Sequence, residues 1–134
     1  RFVILDAAMN DLVRPAMYGA HHAIKPVRQP AGGAVETPVD VVGPICESSD
    51  LFAARRALPP VLADELLVLL SCGAYGFVMA STYNMRPLAA EVMVEGDRFA
   101  VVRPRQRFED MLGTDRLPDW QAGGQTEALS RGAA

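Results

Sequence analysis

The amino-acid sequence predicts a mostly-β fold with short helices, arranged as a small barrel or sandwich. Three observations predict it. Apolar or β-branched runs of strand length stand at 2–5, 39–45 and 66–71. Two further runs, 90–94 and 98–102, flank Glu95-Gly96-Asp97, the mark of a hairpin with a short glycine-containing loop. The helical signals, at 15–22 and 106–112, are short.

The elements follow in order. The run 2–5 is a strand that Asp6 ends. Asn10 and Asp11 are candidate helix caps, and Pro15 suits the first turn of a helix reaching to about His22. The stretch 25–38 holds three prolines and two glycines and is expected to be a loop. The strand at 39–45 is broken by Gly43-Pro44, and 46–56 is polar and irregular. Pro59-Pro60 precede a short turn. The continuous apolar run 66–71 suits a buried strand, and Gly73-Ala74-Tyr75-Gly76 a tight loop. The segment 77–84 is a short helix or irregular. After the hairpin and the helix at 106–112 the chain becomes rich in Gly, Ala, Gln and Ser. Residues 1–116 are therefore expected to form the β domain and residues 117–134 a flexible tail. Because Arg1-Phe2-Val3 opens inside an apolar run, the chain is expected to be a fragment of something larger.

Size and composition narrow the function. A chain of 134 residues suffices for one domain with a real core. Half of its residues are hydrophobic and 22% are charged, an ordinary globular balance. A net charge of −3 without a clustered basic face argues against nucleic acid as a partner. No apolar run approaches the roughly 18 residues of a membrane span. Cys46 and Cys72 form no CxxC pair and lack histidines at ligand spacing, which argues against zinc. Reduced thiols and a cytoplasmic setting are expected.

Four clusters carry possible chemistry. Arg14 and Tyr18, at i and i+4, share one helix face, and a guanidinium beside a phenol can clamp a carboxylate; the alternative is a solvated arginine over a half-buried tyrosine. Gly43-Pro44-Ile45-Cys46-Glu47-Ser48-Ser49-Asp50 sets a thiol beside an acid after a bend. A thiol of ordinary pKa, about 8.5, is protonated at neutral pH and can serve as a proton donor; the alternative is a buried structural cysteine. Gly73-Ala74-Tyr75-Gly76 lets a ligand approach backbone and phenol, or is simply a turn with a packed aromatic. Tyr83-Asn84-Met85-Arg86-Pro87 reads best as a loop. Lys25, the single lysine, precedes Pro26 in a loop and reads as solvated. His21-His22 are adjacent, diverge on a helix and do not suit one metal.

In this order and register the clusters resemble the diaminopimelate decarboxylases, within the fold type III family of decarboxylases dependent on pyridoxal 5′-phosphate (PLP). The matching stretches are Asp6-Ala7-Ala8-Met9-Asn10-Asp11-Leu12, Arg14-Pro15-Ala16-Met17-Tyr18, the Gly43 to Asp50 motif, Gly73-Ala74-Tyr75-Gly76-Phe77 and Tyr83-Asn84-Met85-Arg86-Pro87, spread over about residues 2–112. Ala8 departs from the glycine common there.

The resemblance implies a C-terminal β domain that follows a TIM-like barrel. The barrel is absent from this sequence and holds the Schiff-base lysine for PLP. The resemblance also implies a homodimer whose active sites lie at the interface. The implied substrate is meso-diaminopimelate, converted to L-lysine and CO2. Cys46 would be the proton donor; Arg14 and Tyr18 would bind the distal carboxylate and Glu47 the distal ammonium. Tyr75 would contact both substrate and cofactor phosphate. A non-catalytic relative, used for dimerisation or regulation, is the alternative, and retention of these five residues argues against it.

Overall fold

A computed structural model describes residues 1–30 and 32–122. The described residues fall into two compact units, Arg1–Ala89 and the part from Ala90 onward. The fold is mostly strands with a few short helices, and no sheet among the described residues closes into a barrel.

The first unit is built on β1 (Phe2–Ile4), β3 (Thr37–Val42) and β4 (Leu51–Leu58), a sheet with β3 in the middle. β1 runs parallel to β3, and β4 antiparallel. Val39 and Val41 lie two apart and so share one face of the pleat; both are buried, with Leu12, Ile24, Phe52, Ala53 and Leu58 around them. A second pair, β2 (Ile24–Pro26) and β5 (Leu67–Leu69), is antiparallel and lends Ile24, Leu67 and Leu69 to the same cluster.

Several elements differ from the expectation, each for a physical reason. The helix α1 covers only Arg14–Tyr18, because Gly19 takes a left-handed φ of +62° and its N–H caps the carbonyls of Arg14 and Pro15. Neither Asn10 nor Asp11 caps it; the N-cap is Val13, without a side-chain bond. Lys25 and Pro26 belong to strand β2, with Lys25 exposed.

β4 occupies much of the stretch expected to be irregular. A register shift at Asp40 and the left-handed φ of +49° at Arg55 break its alternation, and Asp40 Oδ1 accepts the Arg55 N–H at 2.7 Å. Arg56 turns its guanidinium to the His22 carbonyl, 2.8 Å away. The apolar run 66–71 is not a strand buried on both faces: β5 is three residues long, and Leu66 is 71% exposed.

The second unit is a hairpin of β6 (Glu91–Glu95) and β7 (Arg98–Arg103), turned at Gly96 with φ of +61°, followed by α2 (Phe108–Leu112). A further short helix, α3 (Asp119–Ala122), falls at the start of the expected tail, whose remainder lies outside the described residues. No described helix is long and apolar enough to cross a membrane.

Candidate functional site

The segment 6–12, between β1 and α1, organises the surroundings of the candidate residues. Ala8 closes it, its carbonyl accepting the N–H groups of Asp11 (2.9 Å) and Leu12 (3.2 Å). Asp11 Oδ2 accepts the Ala8 N–H at 2.9 Å, so this carboxylate finishes the turn instead of capping the helix. Asn10 is 2% exposed, and its carbonyl and both polar groups of its side chain are used. Its carbonyl accepts the Ser81 N–H at 2.9 Å, its Nδ2 donates to the Ser81 carbonyl at 3.3 Å, and its Oδ1 accepts Arg86 Nε at 3.0 Å. Arg86 also donates to the Asp6 carbonyl. The segment 83–87, expected to be a loop, begins with a 3-10 turn at Tyr83–Met85, with Asn84 and Met85 at left-handed φ, and sends Arg86 back to the turn.

Cys46 and Glu47 sit together on the exposed loop between β3 and β4. The loop is drawn shut by the Gly43 N–H on the Asp50 carbonyl (3.1 Å) and the Asp50 N–H on the Glu47 carbonyl (3.0 Å). Beneath it lies the Asp50 side chain, 4% exposed. Its two carboxylate oxygens accept the Ile45 N–H at 2.8 Å and the Met9 N–H at 2.7 Å. Gly43 is required here: a Cβ on it would stand 2.3 Å from Asp50 Oδ2. Ser49 reaches the same turn, its hydroxyl 3.8 Å from the Met9 sulfur. The Ser49 N–H donates to Glu47 Oε1 at 3.1 Å, and this bond, with the Ser49 hydroxyl, holds the Glu47 carboxyl below the ordinary glutamate value.

Arg14 is half-buried at the start of α1, and Tyr18 is 64% exposed at its end. Tyr75 stands on the loop after β5 with φ of +58° and is 62% exposed. Gly76 makes that loop possible, since a Cβ there would lie 2.0 Å from the Cys72 carbonyl oxygen. The Arg14 guanidinium lies over the Tyr75 ring, 5.8 Å from its centroid. The fold thus joins two candidate residues 61 positions apart and ties the Cys46 loop to the turn that leads into Arg14.

The set aside residues are placed differently. His22 is 2% exposed: its Nδ1 lies 3.0 Å from the Leu70 carbonyl and 3.6 Å from Cys72 Sγ, while its Nε2 is buried without a hydrogen-bond partner. Cys72 is free, as is Cys46, and burial pushes its thiol up. Among the described residues no group of three or more His, Cys, Asp or Glu side chains could hold a metal ion.

Asp50 and Arg86 are supporting residues that sequence reasoning gave no role, and Asn10 is one to which it gave a different role, that of a helix cap. Each lay inside a quoted motif. A single carboxylate closing a polar loop, opposite a glycine seven residues earlier, is the signal that could have found Asp50.

Residues 1–73 match the family model described as the C-terminal sheet domain of pyridoxal-dependent decarboxylases. The diaminopimelate decarboxylase of Zymomonas mobilis is 52% identical over 120 residues, covering 90% of this chain and 28% of that protein. That of Archaeoglobus fulgidus is 47% identical over 119 residues, covering 89% and 28%. A solved diaminopimelate decarboxylase from M. jannaschii, in complex with L-lysine, superposes with a TM-score of 0.81 at 35% identity, covering 87% of this chain and 26% of that one. The chain therefore spans just over a quarter of the length of these relatives.

Proposed function

The chain belongs to the pyridoxal-dependent decarboxylases, as their C-terminal sheet domain, and we propose that it supplies the proton donor and the substrate-selecting groups of a diaminopimelate decarboxylase. The observation that carries this reading is the loop 43–50, which presents a thiol and a carboxylate side by side at the surface over a buried brace. The substrate is meso-diaminopimelate, and the products are L-lysine and CO2.

Arg14 and Tyr75 suit an anionic group. A guanidinium and a phenol meet there at an exposed edge, a donor pair fit for the phosphate of PLP or for a carboxylate. Lys25, exposed on β2, has no such surroundings, which agrees with a cofactor carried on a lysine elsewhere in the full-length enzyme. When bound, the cofactor takes up the electron pair released as CO2 leaves the substrate.

The rest is done by the chain's own side chains. Cys46 Sγ–H gives its proton to the substrate carbon that has lost its carboxylate, and the exposed sulfur regains a proton from water. Arg14 and Tyr18 take the distal carboxylate, and Glu47, ionised, takes the distal ammonium. Together they choose one end of a nearly symmetrical molecule. Tyr18, Cys46, Glu47 and Tyr75 are all exposed in the single chain, which supports a site completed by another surface. We place that surface in a homodimer, with Cys46 and Glu47 reaching the partner's cofactor. Two free thiols fit a reducing cytoplasm.

The test is Cys46→Ala in the full-length enzyme. Turnover of meso-diaminopimelate is expected to fall roughly 10²–10⁴-fold, the usual worth of a general acid, with KM little changed. Unchanged turnover would return Cys46 to a structural role.

A further inference from the structure

The buried Asp50 has a position that the chemistry above leaves unexplained. A carboxylate taken out of water normally needs compensation, and here it comes from two backbone N–H groups of different segments. One belongs to Ile45, the residue before Cys46. The other belongs to Met9, in the turn that leads into Arg14. The two oxygens thus fix the loop of the thiol relative to the turn that opens α1. Gly43 closes the pocket behind the carboxylate so tightly that no side chain fits there, and its own N–H bonds the Asp50 carbonyl. The brace leaves little room for the loop to shift without breaking a charge-assisted bond.

We propose that Asp50 is a positioning residue for proton delivery, holding Cys46 in register with the substrate clamp. The inference rests on the reading of Cys46 as the donor. Asp50 touches neither substrate nor cofactor; it acts through the backbone at Ile45. Displacing a donor by about 1 Å can cost 10²-fold in rate, so the brace has room to matter without any chemistry of its own.

The experiment is a double-mutant cycle in the full-length, PLP-loaded enzyme. Asp50→Asn keeps the shape but turns one acceptor into an NH2 donor facing an N–H. kcat for meso-diaminopimelate is measured in wild type, Asp50→Asn, Cys46→Ala and the double variant, with thermal midpoint and cofactor absorbance recorded for each. Asp50→Asn is expected to lower kcat by about 10²-fold in the wild-type background and by less than about threefold when Cys46 is already alanine, because residues acting as a unit are not additive. An equal factor in both backgrounds would overturn the proposal and leave Asp50 a structural residue. Slow Cys46→Ala with normal Asp50→Asn would overturn the positioning role alone. Normal Cys46→Ala would overturn the donor reading and the proposal with it. Should Asp50→Asn fail to fold, Asp50→Glu keeps the charge and both acceptor oxygens while displacing them by one methylene, and the same cycle with Cys46→Ala decides by the same criteria.

Discussion

The Arg14 guanidinium and the Tyr75 ring face each other at 5.8 Å, although they belong to a helix and a loop far apart in sequence. The contact gives Arg14 a weakly favoured resting place over the ring. A cation over an exposed ring is worth about 0.5–1 kcal/mol. An arginine's charge-assisted bonds to a carboxylate are worth about 1.5–3 kcal/mol. Arg14→Ala should therefore raise KM for meso-diaminopimelate by about 10–10²-fold and narrow its advantage over lysine, which lacks the distal carboxylate. Tyr75→Phe keeps the ring and should leave that ratio intact, whereas Tyr75→Ala should reduce it a few-fold. Steady-state kcat/KM for both compounds decides; a ratio untouched by Arg14→Ala makes Arg14 a surface residue.

The two thiols should differ in reactivity. Cys46 is exposed, while burial raises the Cys72 pKa and its sulfur is engaged with the Leu69 carbonyl at 3.3 Å. A raised pKa means less thiolate at any given pH, and thiolate is what attacks. Iodoacetamide at neutral pH should modify Cys46 at least about tenfold faster than Cys72, followed by peptide mass spectrometry of the full-length protein. Added meso-diaminopimelate should protect Cys46 and leave Cys72 unaffected. Faster labelling of Cys72 would contradict the burial argument.

Glu47 should contribute no pH dependence near neutrality. Its bonds from Ser49 depress its pKa in the folded chain below the ordinary glutamate value. For a depressed acid, the stabilisation is fully present above the unfolded pKa and is lost as pH falls through the lower, folded one. The carboxylate is thus charged throughout the working range. The ratio of KM values for Glu47→Gln and wild type should stay flat between about pH 5 and about pH 8. A ratio that drifts across that range would mean that Glu47 takes up a proton when the site assembles.

A shared site predicts complementation. A full-length variant lacking the cofactor lysine and a Cys46→Ala variant should each be nearly inactive. Mixed under conditions of subunit exchange, they should regain up to about a quarter of wild-type activity, since random pairing makes half of the dimers hybrids with one intact site each. Exchange proven by mass, without recovered activity, would place Cys46 in its own subunit's site.

Much of this was legible in the sequence, and the gaps have causes. The hairpin at Gly96 and the strand β1 were readable because local pattern and turn chemistry agree there. β4 was not, because its pleat is interrupted at Arg55 and the bulge is repaired by Asp40, fifteen residues away. The candidate residues were found as motif members. Their supports were not, because Asn10 resembles a helix cap locally and only tertiary contact reveals it as buried. Arg86 is similar: a loop arginine until the fold brings it to Asp6 and Asn10.

That last contact carries a consequence for how the domain forms. Arg86 bonds residues 76 and 80 positions earlier, so the turn before α1 cannot be completed until most of the first unit has emerged and collapsed. Contacts of such sequence separation raise contact order, and their loop-closure entropy must be met before they return any stability. The surroundings of Arg14 should therefore be among the last parts of the unit to gain protection in a refolding experiment followed by amide exchange. A chain ended before Arg86 should keep the β1–β3–β4 sheet yet lose order at residues 6–12.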